Sequence, residues 1–230
     1  MPNSAVPAPG RGLRVGLFGG TFNPVHRGHV AIAEDALRLF GLDEVWLLPA
    51  AVPPLKPTAG LASNADRLAM LERALAEHGD PRLKACDIEY GLPPPSYTIR
   101  TVLALQDRFP ETSFSFIVGA DSLTTLHLWH RVPELLELLP FLVLARPGYE
   151  PTEGDIHLPP PYPARLLANL RTATLSPAAS SAIREELART RTSAHLAPSV
   201  LEYVRAHGLY LGARSAPGSS GAGAGAVNCN

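Results

Sequence analysis

The sequence predicts an α/β fold built on a doubly wound parallel sheet. Short apolar runs, typical of strands buried on both faces, alternate with helix-like segments along most of the 230 residues. Right-handed crossovers between such elements give a parallel sheet with helices on both faces, and the chain is long enough for one such domain. We find no internal repeat. The predicted strands cover residues 13–19, 44–49, 83–89, 114–119, 141–145 and 171–175.

Helices are predicted between these strands. Apolar residues recur at helical spacing from Val30 to Phe40. Ser63, followed three residues later by Asp66, is typical of a capped helix start, and Gly79 is expected to end that helix. Residues 176–211 are expected to form a small helical C-terminal portion.

Composition and charge exclude several classes of protein. The formal net charge is −1, which gives no electrostatic footprint for nucleic acid. The two cysteines, Cys86 and Cys229, do not suggest a structural disulfide, and this suits a reducing compartment. Residues 1–12 lack the apolar core of a signal peptide, and no apolar run approaches the roughly 18 residues of a membrane helix. We therefore expect a cytoplasmic protein without membrane or nucleic-acid partners.

Both ends of the chain are expected to be disordered. Residues 1–12 are rich in proline, glycine and alanine, and residues 212–230 form a Gly/Ala/Ser-rich tail with little apolar surface to bury. The expected organisation is a disordered N-terminal arm (1–12), one folded domain (13–211) and a disordered tail (212–230).

The segment 19–29, Gly-Gly-Thr-Phe-Asn-Pro-Val-His-Arg-Gly-His, lies where the first strand passes into the first helix. Unpaired N–H groups at a helix start favour anions, glycines let a ligand approach the backbone, and imidazoles add donors. The pattern therefore indicates a phosphate site. The chain has no Gly-x-x-x-x-Gly-Lys-Ser/Thr loop and no Gly-x-Gly-x-x-Gly in its first turn. It also lacks Cys-x-x-Cys and His-Glu-x-x-His, so no dedicated metal site is expected.

Segment 20–29 resembles the signature of the nucleotidylyltransferase superfamily, and further segments narrow the resemblance to the bacterial nicotinate-nucleotide adenylyltransferase family. These segments follow one another in order over nearly all of the expected domain. They are residues 53–56, 66–71, 96–99, 116–123, 129, 146–148, 180–184, 198–204 and 208–210. The superfamily implies a Rossmann-like fold.

The resemblance implies a reaction in which ATP and nicotinate mononucleotide give deamido-NAD and pyrophosphate. A phosphate oxygen of the mononucleotide would attack the α-phosphorus directly, so positioning and electrostatics would supply most of the catalysis. The implied partners are these two substrates, and Mg²⁺ would arrive with ATP. The sequence leaves the oligomeric state open, a homo-oligomer included.

The resemblance places four residues in catalysis, namely His26, His29, Lys56 and Arg184. The expected ATP-binding residues are Gly20, Thr21, Phe22, His26, His29, Gly119, Asp121, Ser180, Ser181 and Arg184. Several of these residues could instead have a purely structural role or a different one. One histidine could merely cap the helix, Ser180 could be an N-cap, Lys56 could be an ordinary solvated lysine, and Asp121 could be a loop residue or a magnesium ligand.

The expected nicotinate mononucleotide-binding residues are Lys56, Tyr97, Thr98, Trp129 and Arg146. An indole can stack on the nicotinate ring, and Thr98 offers donors for the carboxylate. The alternative for the aromatic residues is a place in the core. Arg100, which replaces an acid common in relatives, is expected to face solvent.

Two other functions compete with this interpretation. A related nucleotidylyltransferase could use pantetheine phosphate or nicotinamide mononucleotide. Alternatively, the chain could be a nucleotide-binding regulator that has lost catalysis, since Asn23, Leu55 and Ala179 depart from the family pattern. Asn23 keeps a short polar side chain that can brace the loop, so its departure is expected to be benign.

Overall fold

The strands form one parallel sheet, as predicted. The structure, a computed structural model, describes residues 12–55, 60–174 and 178–211. Within these ranges six parallel strands pair in the order β3-β2-β1-β4-β5-β6. The strands are β1 (Arg14–Gly20), β2 (Glu44–Pro49), β3 (Leu83–Ala85), β4 (Ser113–Gly119), β5 (Phe141–Ala145) and β6 (Leu170–Thr172).

Helices cover both faces of the sheet. They are α1 (Arg27–Phe40), α2 (Asn64–His78), α3 (Thr98–Arg108), α4 (Val132–Leu138), α5 (Tyr162–Ala168), α6 (Ser180–Thr190) and α7 (Pro198–Ala206), with 3₁₀ segments at Ile88–Gly91, Ala120–Leu128 and Glu153–Asp155. Successive side chains of β2 show how the core divides. Val45 and Leu47 belong to the cluster under α1, α2, α6 and α7, whereas Trp46 and Leu48 belong to the cluster under α3, α4 and α5.

The strand order reverses between β1 and β4, and this reversal positions the site. From β1 the chain proceeds outward to β2 and β3, then returns to pair β4 with β1 on the other side. Ligands of doubly wound sheets bind outside the carboxyl ends of the strands at this reversal. The residues that follow Gly20 and Gly119 are therefore at the place where a ligand is expected.

Two strands are shorter than predicted. β3 ends at Ala85 instead of residue 89, because the chain turns after Cys86 into the 3₁₀ segment Ile88–Gly91. β6 ends at Thr172 because the N–H of Thr174 donates to the carboxylate of Asp35 rather than to a neighbouring strand. The last predicted residue of β6, residue 175, lies outside the described residues.

The predicted helix ends agree closely with the structure. Ser63 is the N-cap of α2, accepting from the N–H of Asp66 at 3.1 Å, and Gly79 ends the helix with φ 83°. α1 starts at Arg27, three residues before the predicted start. No helix of the described ranges has both the length and the apolar character that crossing a bilayer requires. The ends predicted to be disordered are residues 1–12 and 212–230, and all of these except Gly12 lie outside the described residues.

Candidate active site

A cavity of about 1140 Å³ opens at the carboxyl ends of the central strands. Its walls come from the ends of β1, β4 and β5 and from the first turns of α1 and α6. The structure brings every residue predicted to bind ATP to this cavity, together with Arg146. Those residues are Gly20, Thr21, Phe22, His26, His29, Gly119, Asp121, Arg146, Ser180, Ser181 and Arg184.

The two histidines form a stacked pair at the start of α1. Their ring centroids lie 3.7 Å apart with an interplanar angle of 26°. His26 is the N-cap residue, and its backbone N–H donates to Nδ1 of His29 at 3.2 Å. Because Nδ1 of His29 accepts this bond, the ring carries its proton on Nε2. The pair therefore helps to cap the helix, and His29 also lines the cavity.

His26 is held in its neutral form. Its side chain is 5% exposed, and Nδ1 has no hydrogen-bond partner among the described residues. Burial, with a smaller contribution from nearby His195, lowers the pKa of His26 from 6.5 to about 4. At pH 7 the imidazole is therefore a neutral polar group in this cavity, and any ligand that charges it must overcome the cost of burial.

The loop after β1 has little room around it. Phe22 has φ 47°, uncommon for a bulky residue, and its side chain is 1% exposed. The ring lies edge-on to His29, with centroids 4.9 Å apart. A Cβ at Gly20 would come within 2.8 Å of the Phe22 ring, so only glycine fits there without displacing the ring.

Asn23 and α6 are joined directly. The amide of Asn23, 3% exposed, donates to the carbonyl of Gly60 at 3.3 Å and accepts from the N–H of Ala62 at 3.0 Å. From the other side, Arg184 donates to the backbone carbonyl of Asn23 at 2.8 Å. The predicted bracing role of Asn23 therefore has a structural basis in contacts with two other segments of the chain, residues 60–62 and α6.

Ser180 does not cap α6, so that alternative is wrong. The N-cap is Ala179, without a side-chain capping bond, and Ser180 is the first residue of the helix. Its hydroxyl donates to the carbonyl of Pro24 at 3.1 Å. This places the uncapped start of α6 against the loop after β1, and residues 178–181 line the cavity.

Asp121 lies just beyond the end of β4, as predicted. Its side chain is exposed, and its carboxylate folds back so far that a Cβ at Gly119 would collide with it. Among the described residues that line the cavity, Asp121 is the only carboxylate. The described residues hold no cluster of three or more histidine, cysteine or acidic side chains able to bind a metal ion.

A buried carboxylate positions the segment before α6. Asp35, 5% exposed, accepts from the backbone N–H of Thr174 at 2.5 Å and from its hydroxyl at 3.1 Å. Burial opposes ionisation, but the bonds from Thr174 and Arg38 hold the pKa of Asp35 below its usual value. Thr174 lines the cavity. Neither residue is predicted from the sequence, because a single acid within a helix gives no local signal.

Most residues predicted to bind the mononucleotide lie apart from this cavity. Tyr97 is the N-cap of α3, stacked on His130 at 4.2 Å, and the exposed Arg100 guanidinium lies 5.0 Å from its ring centroid. Trp129 is half-buried, edge-on to Phe116, and Thr98 is the first residue of α3. Tyr97, Thr98 and Trp129 do not line the cavity. Lys56 lies outside the described residues.

Arg67 connects the loops that follow β1 and β2. Although 1% exposed, it donates to the carbonyls of Thr21 at 2.8 Å and Ala51 at 3.4 Å. The segment before α3 joins the second loop, since Ser96 and Val52 exchange hydrogen bonds of 2.9 and 3.0 Å. Arg67 is not among the site residues predicted from the sequence. Its only signal was its place in segment 66–71 of the family resemblance.

The chain is similar to known proteins along most of its length. A family model described as Cytidylyltransferase-like matches residues 17–186. The chain is 38% identical over 201 residues to a Salinibacter ruber protein named probable nicotinate-nucleotide adenylyltransferase, covering 86% of this chain and 98% of that one. It is 36% identical over 198 residues to the Bacillus subtilis nicotinate-nucleotide adenylyltransferase, with the same two coverages.

The chain belongs to the nicotinate-nucleotide adenylyltransferase family. The predicted resemblance is thereby confirmed. A solved structure of the Plasmodium falciparum nicotinic acid mononucleotide adenylyltransferase, complexed with NaAD, superposes with a TM-score of 0.64. The match covers 86% of this chain and 97% of that one. At 16% identity, this superposition shows the Rossmann-like fold of the chain.

Proposed function

We propose that this protein transfers the adenylyl group of ATP to nicotinate mononucleotide, giving deamido-NAD and pyrophosphate. A phosphate oxygen of the mononucleotide attacks the α-phosphorus, the bond from that phosphorus to the β-phosphate bridging oxygen breaks, and pyrophosphate leaves. The observation that carries the proposal is one cavity at the sheet reversal that gathers the histidine pair, the start of α6 and Arg184 in a member of this family.

The ATP phosphates have donors on two sides of the cavity. His29, protonated on Nε2, suits the α-phosphate, where a donor aimed at developing charge lowers the barrier. The uncapped start of α6 and Arg184 suit the β- and γ-phosphates. Ser180 already donates its hydroxyl proton to Pro24, so Ser181 and the backbone N–H groups carry more of this contact.

Magnesium enters this proposal as the counter-ion of ATP. The described cavity lining offers one carboxylate, Asp121, which is too few for a protein cage but compatible with an ion held mainly by phosphate oxygens and water. The ion would neutralise the triphosphate and the departing pyrophosphate. Asp121 is also suited to accept from the ribose hydroxyls.

The start of α3 is our candidate for the nicotinate carboxylate. Tyr97 is the N-cap residue of this helix, but its side chain makes no capping hydrogen bond. The first-turn N–H groups, including that of Thr98, therefore carry partial positive charge. Such a site favours a carboxylate over the uncharged amide of nicotinamide mononucleotide. Trp129 would stack on the ring, and Lys56 and Arg146 would contact the phosphate of the mononucleotide.

Pyrophosphate release from Mg-ATP tests the proposal, with nicotinate mononucleotide, nicotinamide mononucleotide and pantetheine phosphate compared side by side. We expect clear preference for nicotinate mononucleotide and formation of deamido-NAD. Preference for another acceptor would overturn the substrate assignment. ATP binding without turnover of any acceptor would favour a nucleotide-binding regulator. Replacing Thr98 by Pro, which removes its N–H at the first helical position, should reduce the preference for the carboxylate.

A further inference from the structure

The chain after α7 folds back towards the loop that follows β1. Gly208 adopts φ 63°, and the N–H of Leu209 donates to the carbonyl of Val204 at 2.9 Å, which ends the helix with a reversal. Two residues later Tyr210 has φ 57°. This conformation is rare for a bulky side chain and persists where surrounding contacts determine it.

The contact that Tyr210 makes is with the amide of Asn23. The tyrosine hydroxyl donates to Oδ1 of Asn23 at 2.5 Å, and the same oxygen accepts from the N–H of Ala62. The ring is half-buried against the cluster under α1 and α2. Burial raises the pKa of Tyr210 despite the nearby Arg184 and Arg67, so the hydroxyl stays a neutral donor.

Asn23 also connects Tyr210 to α6. Its backbone carbonyl accepts from Arg184 at 2.8 Å, and the next carbonyl, that of Pro24, accepts from Ser180. The side chain of Asn23 thus fixes the segment whose carbonyls hold two residues of the proposed triphosphate contact. With its side chain bound on both sides, the segment has little freedom to rotate.

We propose that Tyr210 is a positioning residue for adenylyl transfer, holding Asn23 so that the loop after β1 presents its carbonyls to Arg184 and Ser180. The inference rests on the proposed function and extends it, because it makes the segment after α7 part of the nucleotide site. Tyr210 itself does not line the cavity. Its effect reaches the substrate through Asn23.

The substitution Tyr210→Phe tests this with minimal change in packing. Misplacing a catalytic group by about 1 Å can cost roughly 100-fold in rate, and one lost anchor of three on Asn23 should cost less. We expect kcat/KM for ATP to fall about 10-fold, with KM for nicotinate mononucleotide unchanged. A purely structural hydroxyl would lower Tm without this split.

Tyr203→Phe is the matched control. Its hydroxyl, also near the C-terminal end, donates to Asp66 at 2.9 Å, and within the described part of the chain it makes no hydrogen bond with Asn23 or with the loop after β1. We expect near-normal turnover from this variant, with a drop in Tm similar to that of Tyr210→Phe. Equal kinetics for the two variants would overturn the positioning role.

Two further measurements separate this inference from the proposed function. In a double-mutant cycle with Asn23→Ala, the loss caused by Tyr210→Phe should largely disappear, and full additivity would contradict the argument. Calorimetric binding of a non-hydrolysable ATP analogue needs no acceptor substrate. If the wild-type protein fails to use nicotinate mononucleotide, the proposed function is wrong. Even then, weaker binding of the ATP analogue by Tyr210→Phe, with normal binding by Tyr203→Phe, would support the positioning role of Tyr210.

Discussion

Replacing Gly20 by alanine should disturb the histidine pair through Phe22. The added Cβ would lie 2.8 Å from the Phe22 ring, against 3.4 Å at the lower limit of ordinary contact, so the ring must move by about 0.6 Å. The ring is 1% exposed and packs against both Phe18 and His29, with centroids 5.9 and 4.9 Å away. Because a shift of this buried ring disturbs its contact with His29, we expect kcat to fall roughly 10-fold with about 1–3 kcal/mol lost in stability.

Two other glycines provide graded controls for this variant. A Cβ at Gly19 would lie 3.2 Å from Phe116, a milder crowding, whereas a Cβ at Gly91 would meet nothing within 4 Å. Pyrophosphate release, measured well below each variant's Tm, should rank Gly20→Ala below Gly19→Ala and Gly19→Ala below Gly91→Ala. If folded Gly20→Ala turned over within two-fold of Gly91→Ala, the steric argument would be refuted.

Three further outcomes are expected. His29→Gln should lower kcat by about 10²- to 10³-fold, since it moves the donor away from the α-phosphate; equal loss of binding and turnover in ATP titrations would instead indicate ground-state binding. Arg184→Lys keeps the charge but loses the planar fork, so KM for ATP should rise while the fold persists by circular dichroism. The pKa of His26 is about 4 in the folded protein and 6.5 in the unfolded chain, so the unfolded chain binds more protons between these values and stability rises with pH there. We expect roughly 2 kcal/mol to be lost between pH 7 and pH 5, and urea titrations should show a flatter pH dependence for His26→Gln.

The fold could be predicted because its main signal is local. The central strands are short apolar runs, and both sides of a strand such as β2 are buried, so the pattern can be recognised without knowledge of the partner strands. The ends of strands are harder to predict, because distant residues can determine them. β6 ends where the N–H of Thr174 donates to Asp35, which is far away in sequence, and no residue near position 174 indicates this bond.

The candidate site likewise combines a part that is visible in the local sequence with residues that only the fold brings together. Segment 19–29 gives the cavity floor, because a glycine-rich strand end before a helix has a definite chemical meaning. Arg67 and Tyr210 act on that segment from 46 and 187 residues away, measured to Thr21 and Asn23. A single arginine in a helix, or a tyrosine after one, is usually explained by ordinary packing, so such residues become visible only when the fold brings them together.

The permanent positive charge of the described cavity lining comes from arginines rather than from histidines. His26 is neutral because burial lowers its pKa, and His29 accepts on Nδ1, which leaves Nε2 as its donor atom. Among the described residues of the lining, Arg146 and Arg184 are the permanent cations. Arg184 is already bound to the carbonyl of Asn23, a neutral partner, so its charge is not cancelled before a nucleotide arrives. In the proposed reaction the histidines are suited to direct hydrogen bonds at the α-phosphate, and the arginines are suited to the long-range attraction of two anionic substrates.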